Sequence, residues 1–233
     1  MQSLLPKIDI FNLLIMTDGR DYIYRTVDSA MEHLLIDGKP NAFNMKLIHS
    51  DGVTFDSHLR GSPWSEFAVI PALGRLGFGA SLRRAWNTVV DLTRGEGWLF
   101  HLEDDFVFNH DIELLELAEA MRAYPNLAQM ALVRQPWNPA ERKAGGIIAS
   151  RPGEFTMLSD GKFKFSTQRS FYTTNPHLVS VPFIAAHPWP TGDHSEGRYS
   201  IELFKDPSAL TAFWGHGEEQ VTHIGDERAG NGY

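Results

Sequence analysis

The chain has 233 residues, 42% hydrophobic and 21% charged, enough apolar mass for one substantial core and too ordinary a charge content for disorder. A formal net charge of −8 gives no general attraction for phosphate backbones, so nucleic acid is not the default partner. The absence of cysteine excludes disulfides and thiolate chemistry and fits a reducing, cytoplasmic setting.

Met1 to Asn12 carries a short apolar run broken by Pro6, Lys7 and Asp9, without the basic start or long apolar stretch of a signal peptide. No segment approaches the roughly 18 to 20 apolar residues of a membrane span, so a soluble protein with no membrane partner is expected.

Leu13 to Met16 reads as a strand, and Thr17-Asp18-Gly19-Arg20 follows it with turn and cap chemistry. Ile23, Val27, Ala30, Met31, Leu34 and Leu35 recur at helical spacing until Asp37-Gly38-Lys39-Pro40 ends the pattern. Met45 to His49 predicts a second strand, with Asp51 in the turn at its tip, and 56–71 reads as surface loops. After the glycine-punctuated Gly74 to Gly79, an amphipathic helix carries Leu82, Ala85, Trp86, Val89 and Val90 to about Arg94. Gly97 to Leu102 predicts a strand ending in Glu103-Asp104-Asp105, and Ile112, Leu115, Ala118 and Met121 mark the helix behind it.

This alternation predicts an α/β fold with a mostly parallel sheet flanked by helices, whose ligands bind outside the strands' carboxyl ends. Asp18, Asp51 and Glu103 to Asp105 all fall there. Arg134 to Pro190 reads as an irregular region laid over the sheet, with short β-like runs. Asp206-Pro207 reads as the start of a short helix through Trp214, and Gln220 to Ile224 as a last strand.

Three consecutive carboxylates repel one another unless a cation or hydrogen-bond donors compensate. Hard cations such as Mg²⁺ or Mn²⁺ commonly use one or two carboxylates and complete their shell with substrate phosphates and water, which suits a nucleoside diphosphate. Such an ion offsets the charge that builds on a leaving diphosphate.

Leu102-Glu103-Asp104-Asp105-Phe106 resembles the acidic metal-binding motif of GT-A glycosyltransferases, notably family 2 and the family 25-like enzymes. Leu14 to Arg20, with Tyr24, Val27 and Ser29, is similar to the opening strand, loop and helix of family 2, and His49-Ser50-Asp51-Gly52 stands where that family has its base-contacting aspartate. In outline the resemblance covers residues 10 to 125. It implies a GT-A domain over 1–233, with a nucleotide-sugar-binding half (1–133) and an acceptor-binding half (134–233). It also implies a UDP- or GDP-sugar donor, with Thr17, Arg20 and Asp51 near the base and ribose, Glu103 or Asp104 near the ribose, and Asp105 on Mn²⁺ or Mg²⁺. Arg83 or Arg84 would face the diphosphate. Thr222-His223-Ile224-Gly225 resembles the C-terminal segment that supplies a histidine to the same metal. There is no clear Gln-x-x-Arg-Trp string, so single transfer fits better than processive synthesis.

For a catalytic base the candidates are Glu196 and then Asp193, ahead of a helix expected at Tyr199 to Phe204. Phe171, Tyr172, Asn175 to Leu178, Phe183, His187 and Trp189 are candidates for lining an acceptor pocket, the acceptor being a glycan, a protein, a small molecule or a modified DNA base. Two rival readings remain: a nucleotidyltransferase, and a non-enzymatic carbohydrate- or metal-binding module. The acidic string lacks the alternating Asp/Asn ligands of a calcium loop.

Overall fold

The computed structural model describes residues 9–52, 63–70 and 74–225. Of the loops expected over 56–71, residues 56–62 and 71 lie outside the described residues. Inside it are a 3-10 turn at Pro63–Glu66 and a short strand at Ala68–Ile70.

The first half follows the expected alternation. In chain order come β1 (Phe11–Thr17), α1 (Tyr22–His33), β2 (Leu34–Ile36), β3 (Lys39–Pro40), β4 (Met45–Ser50) and β5 (Ala68–Ile70). These lead to α2 (Phe78–Thr93), β6 (Trp98–Glu103), β7 (Phe106–Phe108), β8 (Ile112–Glu113), α3 (Leu114–Ala123) and β9 (Leu127–Ala131). Every residue of β1 and β6 is buried, as befits inner strands covered on both faces.

The pleat of β1 divides the core in two. Phe11, Leu13 and Ile15 pack with Ile23, Val27 and Ala30 of α1 and Leu117 and Met121 of α3. Leu14 and Met16 face the other way, onto Leu82, Trp86 and Val89 of α2. Each fully buried Leu or Ile contributes about 1.5–3 kcal/mol, so both faces hold the sheet firmly between helices.

The second half departs from the expectation of an irregular covering. It supplies α4 (Pro139–Ala144), α5 (Ile147–Ser150), β10 (Thr156–Ser159), β11 (Lys164–Gln168), β12 (His177–Ser180), α6 (Val181–Ala186), α7 (Ser195–Leu203), β13 (Leu210–Trp214) and β14 (Val221–His223). Four of these strands join the main sheet, whose order is β10-β11-β13-β9-β12-β6-β1-β4-β5. β12 and β11 run against the rest, because β12 is antiparallel to both β6 and β9, and β11 to both β13 and β10. All the others point one way, so their carboxyl ends gather at one edge.

The helix expected from Asp206 to Trp214 is instead a turn followed by β13. Asp206 Oδ1 accepts from the Ser208 backbone N–H at 2.8 Å and its hydroxyl at 2.6 Å, a local closure that competes with helix initiation. The chain then enters the sheet between β9 and β11, where Thr211, Ala212 and Phe213 are buried. Among the described residues no helix is long and apolar enough to cross a membrane.

Candidate functional site

Parallel pairing brings three strand ends together. The register Met16 to Glu103 sets Thr17 beside Asp104, and the Asp51 backbone N–H donates to the Thr17 carbonyl at 2.8 Å. Asp104 and Asp105 form the turn between β6 and β7, and both are fully buried. Such a pair of carboxylates must be heavily compensated.

The compensation comes from α1 and the turn before it. Thr17 Oγ1 donates to Asp104 Oδ2 and itself accepts from the Gly19 N–H at 2.9 Å. Gly19 has a φ of 91°, a left-handed turn suited to glycine, and it swings Arg20 back toward the acids. Arg20 Nη2 then binds Asp104 Oδ1, Nη1 binds Asp105 Oδ2 at 2.8 Å, and Nε lies 2.7 Å from Asp18 Oδ1. Thr26 Oγ1 donates to the Asp104 carbonyl at 2.7 Å. Arg20 therefore sits on the acids. Asp104 has both side-chain oxygens engaged and no exposure.

The titration of the pair follows from these contacts. Burial pushes Asp104 up to about 6, against the pull of Thr17 and Arg20. Burial also acts to raise Asp105, but the hydrogen bond and charge of His223, with Arg20 behind them, outweigh it and hold its carboxyl below the ordinary range. Desolvation disfavours the Arg20 charge; Asp104, Asp105 and Asp18 more than reverse that and raise the guanidinium above its usual value.

His223 reaches the acids through the small sheet β7–β14, whose register sets it opposite Phe106, while the Ile224 N–H donates to the Asp105 carbonyl at 2.7 Å. Its Nε2 lies 3.3 Å from Asp105 Oδ2. Phe106 and Trp137 meet its ring edge-on, at centroid distances of 4.8 and 4.5 Å. Gln135 grips its backbone from both sides, accepting from the N–H at 2.7 Å and donating to the carbonyl at 2.8 Å.

Three features fit a divalent ion at Asp105 and His223. Asp105 Oδ1 is buried without a hydrogen-bond partner, Oδ2 faces an imidazole nitrogen, and the bare Gly225 leaves Oδ2 room, since a Cβ there would lie 2.6 Å from it. Among the described residues no three His, Cys, Asp or Glu side chains form a complete cage. One carboxylate and one imidazole suit an ion whose shell is completed by phosphate and water. Gly225→Ala should therefore displace the Asp105 carboxylate; the expected result is a loss of Mn²⁺ affinity with the fold retained, read by calorimetry and circular dichroism.

Asp51 follows the end of β4, and Arg84 lies on α2. Asp51 accepts from the backbone N–H groups of Leu76 at 2.6 Å and Gly77 at 2.9 Å, so it pins the entry to α2. His49, in β4, places its Nε2 2.9 Å from Ser81 Oγ of α2. Burial, and then the Arg84 charge, push the His49 imidazole down to about 4, against the pull of Asp51.

Leu76 and Gly77 also line a cleft of about 410 Å³, closed on its far side by Asp193, His194, Ser195 and Glu196 at the start of α7. Gly79 lets the two helix ends meet, as a Cβ there would come within 2.9 Å of Ser195 Cβ. Asp193 is exposed, whereas Glu196 is half-buried and accepts from the Thr174 N–H at 3.0 Å. Burial raises the Glu196 carboxyl, with Thr174 opposing.

Most of the aromatics expected around an acceptor are core. Tyr172, Phe183 and Trp189 are buried and pack in the cluster around Trp86, and His177 is buried with its Nε2 3.0 Å from the Tyr172 hydroxyl. Phe171 packs on Phe155 and Phe213, and His187 stacks on Phe183 at 4.3 Å. Thr26, Gln135 and Gly225 were not expected as site residues. Only Thr26 carried a signal, a hydroxyl set on the apolar face of α1 between Ile23 and Ala30.

No family model matches the chain, and no curated protein matches it. Solved structures do. GalNAc-T7 with UDP, GalNAc and Mn²⁺ superposes with a TM-score of 0.61 at 12% identity, over 94% of this chain and 44% of that one. TarS from S. aureus with UDP-GlcNAc gives 0.60 at 13%, over 95% and 60%. The mannosyltransferase PcManGT from Pyrobaculum calidifontis with GDP-Man and Mn²⁺ gives 0.58 at 13%, over 97% and 60%. The fold is thus that of the GT-A glycosyltransferases. This chain spans about half the length of those proteins.

Proposed function

We propose that the chain is a glycosyltransferase that moves a sugar from a UDP- or GDP-sugar to an acceptor hydroxyl with the help of Mn²⁺ or Mg²⁺. The observation that carries this reading is the Asp105–His223 pair, a buried carboxylate facing an imidazole at 3.3 Å where the sheet's carboxyl ends converge. The glycosyltransferases that share the fold were crystallised with UDP or GDP-sugars, two of them with Mn²⁺.

In this reading Asp105 and His223 hold the ion, which when bound offsets the charge developing on the leaving diphosphate. Asp104, Thr17 and Thr26 fix the turn that presents Asp105. Glu103, at the end of β6, faces the ribose, and Asp51 orders the loop beside the base. Arg84 favours the diphosphate electrostatically. Glu196 takes the proton from the acceptor hydroxyl, burial raising its proton affinity above that of an ordinary carboxylate, with Asp193 as the second candidate. Residues 1–133 serve the donor and 134–233 the acceptor, except that His223 returns to the donor side.

Thermal unfolding with Mn²⁺ and a nucleotide panel tests this, because a ligand that binds only the folded state raises the melting temperature. A metal-dependent rise with UDP or GDP is expected. A rise only with nucleoside triphosphates would point to nucleotidyl transfer, and one with calcium and free glycans alone to a binding module.

A further inference from the structure

We infer that Arg20 and the divalent ion compete for one oxygen of Asp105, so that Arg20 is a built-in counter-ion which the site exchanges for metal. The inference rests on the reading that Asp105 and His223 are the metal ligands. Asp105 Oδ2 is the oxygen that faces His223 Nε2, at 3.3 Å, and Arg20 Nη1 binds that same oxygen at 2.8 Å. An ion shared by Oδ2 and Nε2 would stand beside a guanidinium on the same atom, and like charges at that separation repel strongly in a buried setting. Arg20 must release Asp105 for the ion to bind there.

Arg20 is placed to do so. Its side chain keeps 22% exposure, whereas those of Asp104 and Asp105 are at 0% and 1%, so it can leave toward solvent while they cannot. Its guanidinium carbon also lies 5.7 Å from the Tyr22 ring centroid, a partner for the cation outside the acidic turn. Until then it pairs with Asp18, Asp104 and Asp105 at once.

The exchange makes metal and nucleotide cooperative. Metal alone must break the Arg20–Asp105 contact, whereas a diphosphate offers the released guanidinium a new anionic partner, for which its planar fork is suited. By linkage, the diphosphate must then tighten the metal as much as the metal tightens the diphosphate.

The test is Mn²⁺ binding by calorimetry and electron paramagnetic resonance, on wild type and Arg20→Gln, with and without UDP or GDP. Arg20→Gln should bind Mn²⁺ alone on the order of tenfold more tightly than wild type, and should show less gain from nucleotide. Arg20→Lys, whose point charge cannot span both acids, should fall between them, and it serves in the same way if the glutamine variant does not fold. Mn²⁺ binding by the variants equal to or weaker than wild type overturns the exchange while leaving the metal site standing. No Mn²⁺ binding by wild type, even with nucleotide, overturns the proposed function and the exchange with it.

Discussion

Asp105→Asn is expected to remove Mn²⁺ binding and to lower the turnover of donor sugar by about a thousandfold or more, since Lewis-acid stabilisation of a leaving diphosphate is worth several kcal/mol. Asparagine keeps the volume and one oxygen, so the turn between β6 and β7 should persist, with the Ile224 N–H still bound to the carbonyl of residue 105. What it loses is the charge that His223 and Arg20 both address. Arg20 retains Asp104 and Asp18, so no cation is stranded. Hydrolysis of UDP- and GDP-sugars followed by mass spectrometry measures the first effect, and melting with Mn²⁺ and nucleotide the second. A variant that hydrolyses donor at the wild-type rate would sink the metal assignment.

The same variant has a pH signature. The Asp105 carboxyl is held below its usual value by His223 and Arg20 against the effect of burial, so it binds its proton less tightly folded than unfolded. Its contribution to stability is present above the ordinary aspartate range and is lost as pH falls through and below that range. Melting curves between pH 7 and pH 3 should therefore converge, the wild type losing more of its stability than Asp105→Asn.

How far such a site can be read from sequence depends on the range of the forces that build it. β1, α1, β4, α2 and β6 were legible because each carries its own periodicity: a run of buried residues such as Phe11 to Thr17, or Leu82, Ala85, Trp86 and Val89 on one helix face. Asp104 and Asp105 were legible as acids because they close such a strand. Of their partners, His223 was legible only through the family resemblance, not from any local pattern. His223 is brought to Asp105 by the β7–β14 register, and that register depends on where the intervening chain runs. Arg20 was noticed, but its direction is set by the left-handed Gly19 before it together with Asp104 and Asp105, which lie far off in sequence. β13 was misread as a helix because a Ser/Asp/Pro turn looks like a cap; the sheet slot between β9 and β11 decides the matter. The aromatics from Tyr172 to Trp189 looked like a pocket because composition cannot separate a ring facing solvent from one packed on Trp86.

Glu196→Gln is the second variant with a large expected effect, and it should move activity and stability in opposite directions. Loss of a general base lowers kcat by about 10²- to 10⁴-fold, while the donor and metal contacts, which lie on other elements, leave nucleotide affinity unchanged. Glutamine still accepts from the Thr174 N–H, so the start of α7 keeps its anchor. Burial raises the Glu196 carboxyl, which therefore binds its proton more tightly folded than unfolded. Its contribution to stability is full below the ordinary glutamate range and is lost as pH rises through the raised value. Glutamine carries no such pH-dependent cost, so the variant should melt at or above the wild-type temperature at pH 8, with the gap closing toward pH 4. For wild type, kcat/KM should climb as pH rises through that same raised value, because the base works only when ionised, and the climb should vanish in the variant. Asp193→Asn, on the exposed rim of the cleft, is expected to leave kcat within about threefold, and this separates the two candidates. A Glu196→Gln enzyme with wild-type kcat would remove the base from this cleft and favour transfer with retention, in which the acceptor hydroxyl needs no protein carboxylate.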